Sequence, residues 1–163
     1  MPMQLEGSCH CRAVRFRVNS SAPYPYQLCY CSICRKTAGS GGYGINLLAD
    51  AASLECDDDG AKKVMHATLH VQGRIELSSA ERHFCGRCGS ALWLYSPEWP
   101  LLLHPHASAI DTELPVPPAR LHMMLGSKAS WVQAQIGERD AQFEAYPEHS
   151  IEDWHRARGL WID

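Results

Sequence analysis

Seven of the eight cysteines lie in three short clusters, and this arrangement strongly limits how a chain of 163 residues can fold. Cys-x-Cys and Cys-x-x-Cys are spacings typical of metal ligands. The fold must therefore bring some of these thiols together in space. In chain order the clusters are Cys9 and Cys11; Cys29, Cys31 and Cys34; and Cys85 and Cys88.

The middle cluster combines a strand pattern with a helix signal. Alternating apolar residues over 24–30 predict a strand, on which Cys29 and Cys31 share one face. Ser32 is a suitable N-cap for a short helix ending at Gly39, which turns Cys34 back towards them. Three convergent thiolates with one free coordination position are the arrangement of a catalytic zinc site.

The outer two clusters each offer a pair of thiols. Cys9 and Cys11 are two residues apart, so they lie on one face of an extended segment. Cys85-Gly86-Arg87-Cys88-Gly89 is typical of a zinc knuckle, a tight turn in which glycine permits positive φ. A second two-cysteine unit elsewhere in the chain makes this pattern specific.

The economical partition of the seven thiols gives one closed and one open site. A structural zinc requires four ligands, which Cys9, Cys11, Cys85 and Cys88 would supply. The other three cysteines would then hold a second, catalytic zinc. An alternative remains, in which Cys31 and Cys34 join the third cluster in an ordinary zinc ribbon. It ranks second because it leaves three close thiols without a role.

Disulfide bonds are the other common use of many cysteines. They require an oxidising compartment, and residues 1–7 have no charged head followed by an apolar run that would direct export. We therefore expect a cytoplasmic protein with metal-bound thiols. Cys56 stands alone and is predicted to be a buried free thiol rather than a spare ligand. His10 is predicted to be a surface or packing residue.

The remaining patterns favour strands over helices. Residues 14–18 alternate as a half-buried strand, and 64–71 with 74–77 form a predicted hairpin around Gln72-Gly73. Further short strands are expected at 92–95, 101–104, 122–125 and 129–133. The fold class is therefore mainly β, with twisted sheets and short helices.

The C-terminal segment has a helical pattern. Ser150 and Asp153 form a capping-box signal with aspartate in place of glutamate, and Gly159 ends the helix. The helix should pack Trp154 and Trp161 against the sheet. We expect one zinc-binding domain over residues 1–163 that includes this helical tail, 150–159.

Charge and hydropathy exclude several partners. The net charge of −3 and the absence of a basic tail argue against nucleic-acid binding. No apolar stretch approaches the ~20 residues of a membrane span. Small molecules remain the expected partners.

Residues 5–115 resemble the glutathione-dependent formaldehyde-activating enzyme family, which shares its domain with centromere protein V. The resemblance lies in segments 7–11 (GSCHC), 29–37 (CYCSICRKT) and 82–90 (RHFCGRCGS). It implies a tent-like antiparallel β fold and the same partition of the cysteines: a structural zinc on four and a catalytic zinc on three. His10 and the additional Cys56 depart from the family pattern.

The resemblance also implies an activity. Members of this family are carbon–sulfur lyases that join glutathione and formaldehyde into S-hydroxymethylglutathione. Because glutathione is anionic, cationic residues should surround the open site, and the candidates are Arg35, Lys36, Arg82 and Lys128. The rival hypothesis is a non-catalytic zinc protein that serves as a binding module. It predicts that Cys56 or a histidine completes the second site.

Overall fold

The computed structural model describes residues 1–163 and consists mainly of short strands. Two α-helices are present, α1 (Ser32–Ala38) and α2 (Ile151–Ala157), and neither is long and apolar enough to cross a membrane. The fourteen strands are β1 (Met3–Ser8), β2 (Arg15–Ser20), β3 (Gln27–Cys29), β4 (Gly44–Ile45), β5 (Ala49–Asp50), β6 (Glu55–Asp57), β7 (Lys62–Met65), β8 (Thr68–Val71), β9 (Arg74–Leu77), β10 (Glu81–Cys85), β11 (Ala91–Tyr95), β12 (Leu102–Pro105), β13 (Leu121–Met123) and β14 (Ala141–Gln142). The predicted mainly β class with a C-terminal helix is confirmed.

The strands form three sheets and one separate hairpin. An antiparallel three-stranded sheet has the order β1-β2-β6, and an antiparallel five-stranded sheet has the order β5-β12-β11-β10-β7. A four-stranded sheet, β14-β13-β3-β4, is mixed, because β13 pairs in parallel with both β3 and β14. This parallel pairing joins the C-terminal third of the chain to the strand that carries Cys29.

The largest hydrophobic cluster lies between the first two sheets. Along β2 the side chains of Phe16 and Val18 are buried and those of Arg15 and Arg17 are exposed, the period-2 pattern that the sequence predicts. Phe16 packs edge-on against Trp93 of β11, with 5.0 Å between ring centroids. The two thiols Cys9 and Cys85 belong to this same cluster.

A second cluster surrounds the middle cysteines. It contains Cys29 and Cys34 together with Tyr26, Met123 and Trp154. Trp154 of α2 stacks on Tyr26 with 3.7 Å between centroids, and helix α2 begins with the predicted capping box of Ser150 and Asp153. The C-terminal helix thus supports the wall of the three-cysteine region.

Several predicted boundaries are wrong. The predicted strand 64–71 is interrupted, because Val64 pairs with β10 in the five-stranded sheet whereas 68–71 belongs to the separate hairpin. Residues 129–133 form no strand and instead contain a turn at Ser130 and Trp131. The β8–β9 hairpin itself is confirmed, with positive φ at Gln72 (48°) and Gly73 (76°), as a two-residue turn of this kind requires.

Truncation of Trp154 tests the role of helix α2. Trp154 is 6% exposed, so we expect Trp154→Ala to reduce the free energy of unfolding by about 3–5 kcal/mol. Trp99→Ala is the matched control, because Trp99 is 58% exposed and its loss should cost less than about 0.5 kcal/mol. Urea unfolding of both variants measures the difference. If Trp154→Ala lowered the free energy of unfolding as little as Trp99→Ala does, helix α2 would not contribute to the core.

Candidate metal centres and active site

The structure brings Cys9, Cys11, Cys85 and Cys88 together, with all four sulfurs within 4.8 Å of one another. The Cys9 and Cys11 sulfurs are 3.6 Å apart, and those of Cys11 and Cys85 are 3.8 Å apart. Four sulfurs placed tetrahedrally about 2.3 Å from a zinc ion would be separated by about 3.8 Å, whereas disulfide-bonded sulfurs are about 2.0 Å apart. The geometry therefore fits a tetrahedral metal ion, and all eight cysteines are free thiols.

Backbone and hydroxyl groups fix this four-thiol group. The Val14 N–H donates to the Cys9 sulfur at 3.3 Å, and the His10 N–H donates to the Ser90 hydroxyl at 3.0 Å. The same hydroxyl lies 3.2 Å from the Cys88 sulfur and lowers the pKa of Cys88 to about 5. Hydrogen bonding thus prepares the knuckle to present a thiolate.

The structure also brings Cys29, Cys31 and Cys34 within 4.8 Å of one another as a separate three-thiol group. Cys29 ends strand β3, and Cys31 has left the strand to become the N-cap of α1 in place of the predicted Ser32. The Cys31 sulfur accepts a hydrogen bond from the Cys34 N–H at 3.3 Å. Hydrogen bonds from the thiols of Cys29 and Cys34 lower the pKa of Cys31.

Burial is uneven around the three thiols. Cys29 and Cys34 are 3% and 4% exposed, whereas Cys31 is only half-buried. The accessible side of the group is therefore the side of Cys31. Cys56 and the histidines lie outside both groups. Because Cys31 and Cys34 group with Cys29 and not with Cys85 and Cys88, the alternative zinc-ribbon pairing does not occur in this fold.

Arg82 of β10 reaches the three-thiol group. One guanidinium nitrogen lies 3.8 Å from the Cys34 sulfur, and the other donates to the Thr37 hydroxyl at 3.4 Å. No carboxylate neutralises Arg82. Of the four predicted cationic residues, Arg82 is the one that contacts a thiol. Arg35 and Lys36 line a neighbouring cavity, and Lys128 follows a short 3-10 helix without hydrogen bonds to the thiols.

A buried polar chain lies behind the three-thiol group, and sequence reasoning missed it. The Tyr30 hydroxyl is 2.8 Å from Nδ1 of His122, whose Nε2 is 2.9 Å from an Asp140 oxygen. Burial raises the pKa of Asp140, but hydrogen bonds from the Gly137 N–H and from His122 outweigh it and lower that pKa to about 2. Because Tyr30 lies between Cys29 and Cys31 in sequence, this chain holds the segment that carries both thiols.

Tyr146 is a second residue that the sequence did not indicate. Although the residue is 74% exposed, partial desolvation raises the pKa of its phenol, and the negative charge of the Cys31, Cys29 and Cys34 thiolates raises it further. The charge of the three thiols thus extends to the segment after β14.

The predicted burial of Cys56 is wrong, because this residue is exposed on strand β6, where it pairs with Phe16 of β2; it is a free thiol outside both groups, as predicted. Its neighbours Glu55 and Asp57 are also exposed and bind arginines of β2, so the whole edge strand faces solvent. His10 is exposed, as predicted for a surface residue.

A mainly β fold with one four-thiol and one three-thiol group defines a protein with two candidate metal centres. The family model described as "Glutathione-dependent formaldehyde-activating enzyme" matches residues 4–127. A Halomonas elongata protein described as "Putative glutathione-dependent formaldehyde-activating enzyme" is 54% identical, over 97% of this chain and 98% of its own length. The chain therefore belongs to the glutathione-dependent formaldehyde-activating enzyme family.

Solved structures are also similar to this chain. Among them is a crystal structure of a Rhodobacter sphaeroides protein, 23% identical in sequence, with a TM-score of 0.45. The match covers 69% of this chain and 92% of that protein.

Replacement of one thiol in each group tests whether the two groups differ in kind. Cys85 is 0% exposed, so we expect Cys85→Ser to cost more than about 4 kcal/mol through loss of a metal link. Cys31→Ser should cost less than about 1 kcal/mol, because serine is a favoured N-cap for α1. Thermal and urea unfolding of the two metal-loaded variants gives the comparison. Equally large losses would indicate that both groups are structural.

Proposed function

We propose that this protein is a zinc-dependent carbon–sulfur lyase acting on glutathione, or a similar small thiol, and an aldehyde such as formaldehyde. The observation that carries the proposal is the three-thiol group, in which two sulfurs are buried and Cys31 is accessible. Family membership supports the choice of glutathione and formaldehyde.

In this proposal each group of thiols holds one zinc ion. Cys9, Cys11, Cys85 and Cys88 would bind a structural zinc, and their sulfur separations of 3.6 and 3.8 Å fit its tetrahedral coordination. Cys29, Cys31 and Cys34 would bind the catalytic zinc. At the open position that ion would supply a Lewis acid, able to lower the pKa of a thiol or to polarise a carbonyl group.

The proposed reaction is an addition without redox change. The thiol sulfur forms a bond to the carbonyl carbon of formaldehyde, and the π bond of that carbonyl breaks. The thiol loses its proton and the carbonyl oxygen gains one, so that S-hydroxymethylglutathione contains all the atoms of both reactants. The reverse direction cleaves the same carbon–sulfur bond, which is the lyase reaction.

The chain's own residues contribute charge and orientation. The Arg82 guanidinium lies beside the Cys34 sulfur and would offset negative charge that a substrate thiolate adds to the three thiols. The Cys34 N–H holds the Cys31 sulfur, and the chain of Tyr30, His122 and Asp140 holds the segment between the strand and helix. Such restraint keeps the three sulfurs in one geometry while substrate binds.

The rival, a non-catalytic binding module, requires a completed second metal site. Neither Cys56 nor a histidine is near the three thiols, which favours the enzyme. We also propose that residues 1–163 act as one zinc-binding unit in the cytoplasm. The eight free thiols suit a reducing compartment.

Catalysed exchange between glutathione and formaldehyde tests the proposal directly. Because the adduct also forms in solution, the measurement is NMR exchange spectroscopy of ¹³C-formaldehyde with glutathione, with and without zinc-loaded protein. We expect faster exchange with the wild type and a return to the uncatalysed rate with Cys31→Ser, which removes one thiol of the three. A wild-type rate equal to the rate in buffer would refute the function.

Chelation tests the proposed inequality of the two zinc ions. The four-thiol site should resist a chelator, since structural zinc sites of this kind contribute ~10–16 kcal/mol in peptides at neutral pH. The three-thiol site has one bond fewer and should lose its zinc first. Metal analysis after mild chelation should therefore fall from two zinc ions per chain to one, with the fold retained in circular dichroism. Simultaneous loss of both ions, or one ion from the start, would contradict the assignment.

A further inference from the structure

A polar cavity of about 630 Å³ lies between helix α1 and the four-thiol region, and the proposed reaction does not use it. One wall is the C-terminal part of α1 and the following turn, residues 35–40. The opposite wall comes from the four-thiol region, residues 8–10 and 89–91. Arg12, Ser108 and Asp111 complete the lining. We call this space the cationic cavity because of the charges described next.

Three cations and a single acid line the cationic cavity. Arg12, Arg35 and Lys36 form no ion pair with any carboxylate of the chain. The acid, Asp111, accepts a hydrogen bond from the Ser8 hydroxyl at 2.6 Å. In a chain whose net charge is −3, this local excess of positive charge is a feature of the cavity and not of the whole surface.

The side chain of Arg35 is not fully hydrogen-bonded within the chain. Its Nε is buried and has no hydrogen-bond acceptor. A buried donor without an acceptor destabilises the folded protein. A carboxylate is the strongest acceptor for a charged donor such as a guanidinium group. Arg12 on the opposite side has a left-handed backbone (φ 62°), a conformation that is uncommon for arginine and is often found at ligand sites.

Helix α1 connects the cationic cavity to the three-thiol group. Arg35 and Lys36 directly follow Cys34, and Thr37 lines the cavity. Thr37 also binds the guanidinium of Arg82, whose other nitrogen contacts the Cys34 sulfur. Arg82 therefore links Thr37 of the cavity wall to a thiol of the three-thiol group.

We infer that the cationic cavity binds the carboxylates of an anionic peptide thiol, whose sulfur is directed to the three-thiol group. The inference rests on the proposed function and identifies where glutathione would be recognised. Glutathione carries two carboxylates, which can pair with two of the three unpaired cations, Arg35 and Lys36 of α1. A thiol without carboxylates has no partner for these cations and should gain nothing from the cavity.

Calorimetry with S-methylglutathione tests the cavity separately from the metal, because the methylated sulfur has no thiol to bind zinc. We expect wild-type protein to bind this probe and Arg35→Met to bind it about tenfold more weakly, the loss typical of one charge-assisted hydrogen bond. Lys36 is exposed, so Lys36→Met provides a second variant whose folding is not at risk. Arg74→Met is the matched control, since Arg74 is exposed on the distant β8–β9 hairpin.

The ligand also has a matched control. The diethyl ester of S-methylglutathione lacks both carboxylates, and we expect its binding to be much weaker and equal in wild type and Arg35→Met. No binding of S-methylglutathione to the wild type would overturn the inference. So would equal weakening by Arg35→Met and Arg74→Met, since that would reflect total charge alone.

The two proposals can fail independently. If the protein does not catalyse thiol–aldehyde exchange but binds S-methylglutathione in an Arg35-dependent manner, the function is wrong and the cationic cavity is right. If exchange is catalysed but Arg35→Met and Lys36→Met both bind the probe like wild type, the cavity is wrong and the function is retained. With catalysis, the same two variants should raise the KM for glutathione and leave that for 2-mercaptoethanol unchanged.

Discussion

The convergence of four thiols from distant parts of the chain is the constraint on which the rest of this fold depends. Cys11 and Cys85 are 74 residues apart, yet their sulfurs are 3.8 Å apart. A metal ion at this place would join the end of β1 to the end of β10 and so hold the three-stranded and five-stranded sheets together. Short strands alone contribute little stability, because each buries few side chains. Cys9 and Cys85 accordingly lie in the main hydrophobic cluster, so packing and ligation reinforce each other.

The three-thiol group depends on a different kind of support. Its sulfurs come from six consecutive residues, so local geometry brings them together: a strand ends at Cys29 and a helix begins after Cys31. What the local chain cannot supply is rigidity. The parallel pairing of β3 with β13 and the buried chain from Tyr30 to Asp140 provide it from the C-terminal third of the molecule. The four-thiol group links distant parts of the chain, whereas the three-thiol group forms locally and is supported from outside. For this reason we expect the first to be structural and the second to be reactive.

The fold also determines which charged side chains lie near the three-thiol group. Thiolates concentrate negative charge, and the fold places Arg82 directly against Cys34 while Arg35, Lys36 and Arg12 face the adjoining cavity. These cations lie on different elements, α1, β10 and the loop after β1. They differ from the solvated arginines of β2 in their location near the thiols and in lacking carboxylate partners. The arginines of β2 pair with Glu55 and Asp57 on the exposed edge strand.

The sequence by itself determined the spacing of the thiols, the division into a pair, a triplet and a pair, the alternating burial along β2 and the capping box of α2. Each is a local property, set by the two-residue period of a strand or by hydrogen bonds within one turn. The tertiary structure decided the features that join distant residues. Examples are the contact of Arg82 with Cys34, the chain of His122 and Asp140, and the exposure of Cys56 on an edge strand. No local pattern specifies which strands become neighbours, because that choice depends on how whole sheets pack.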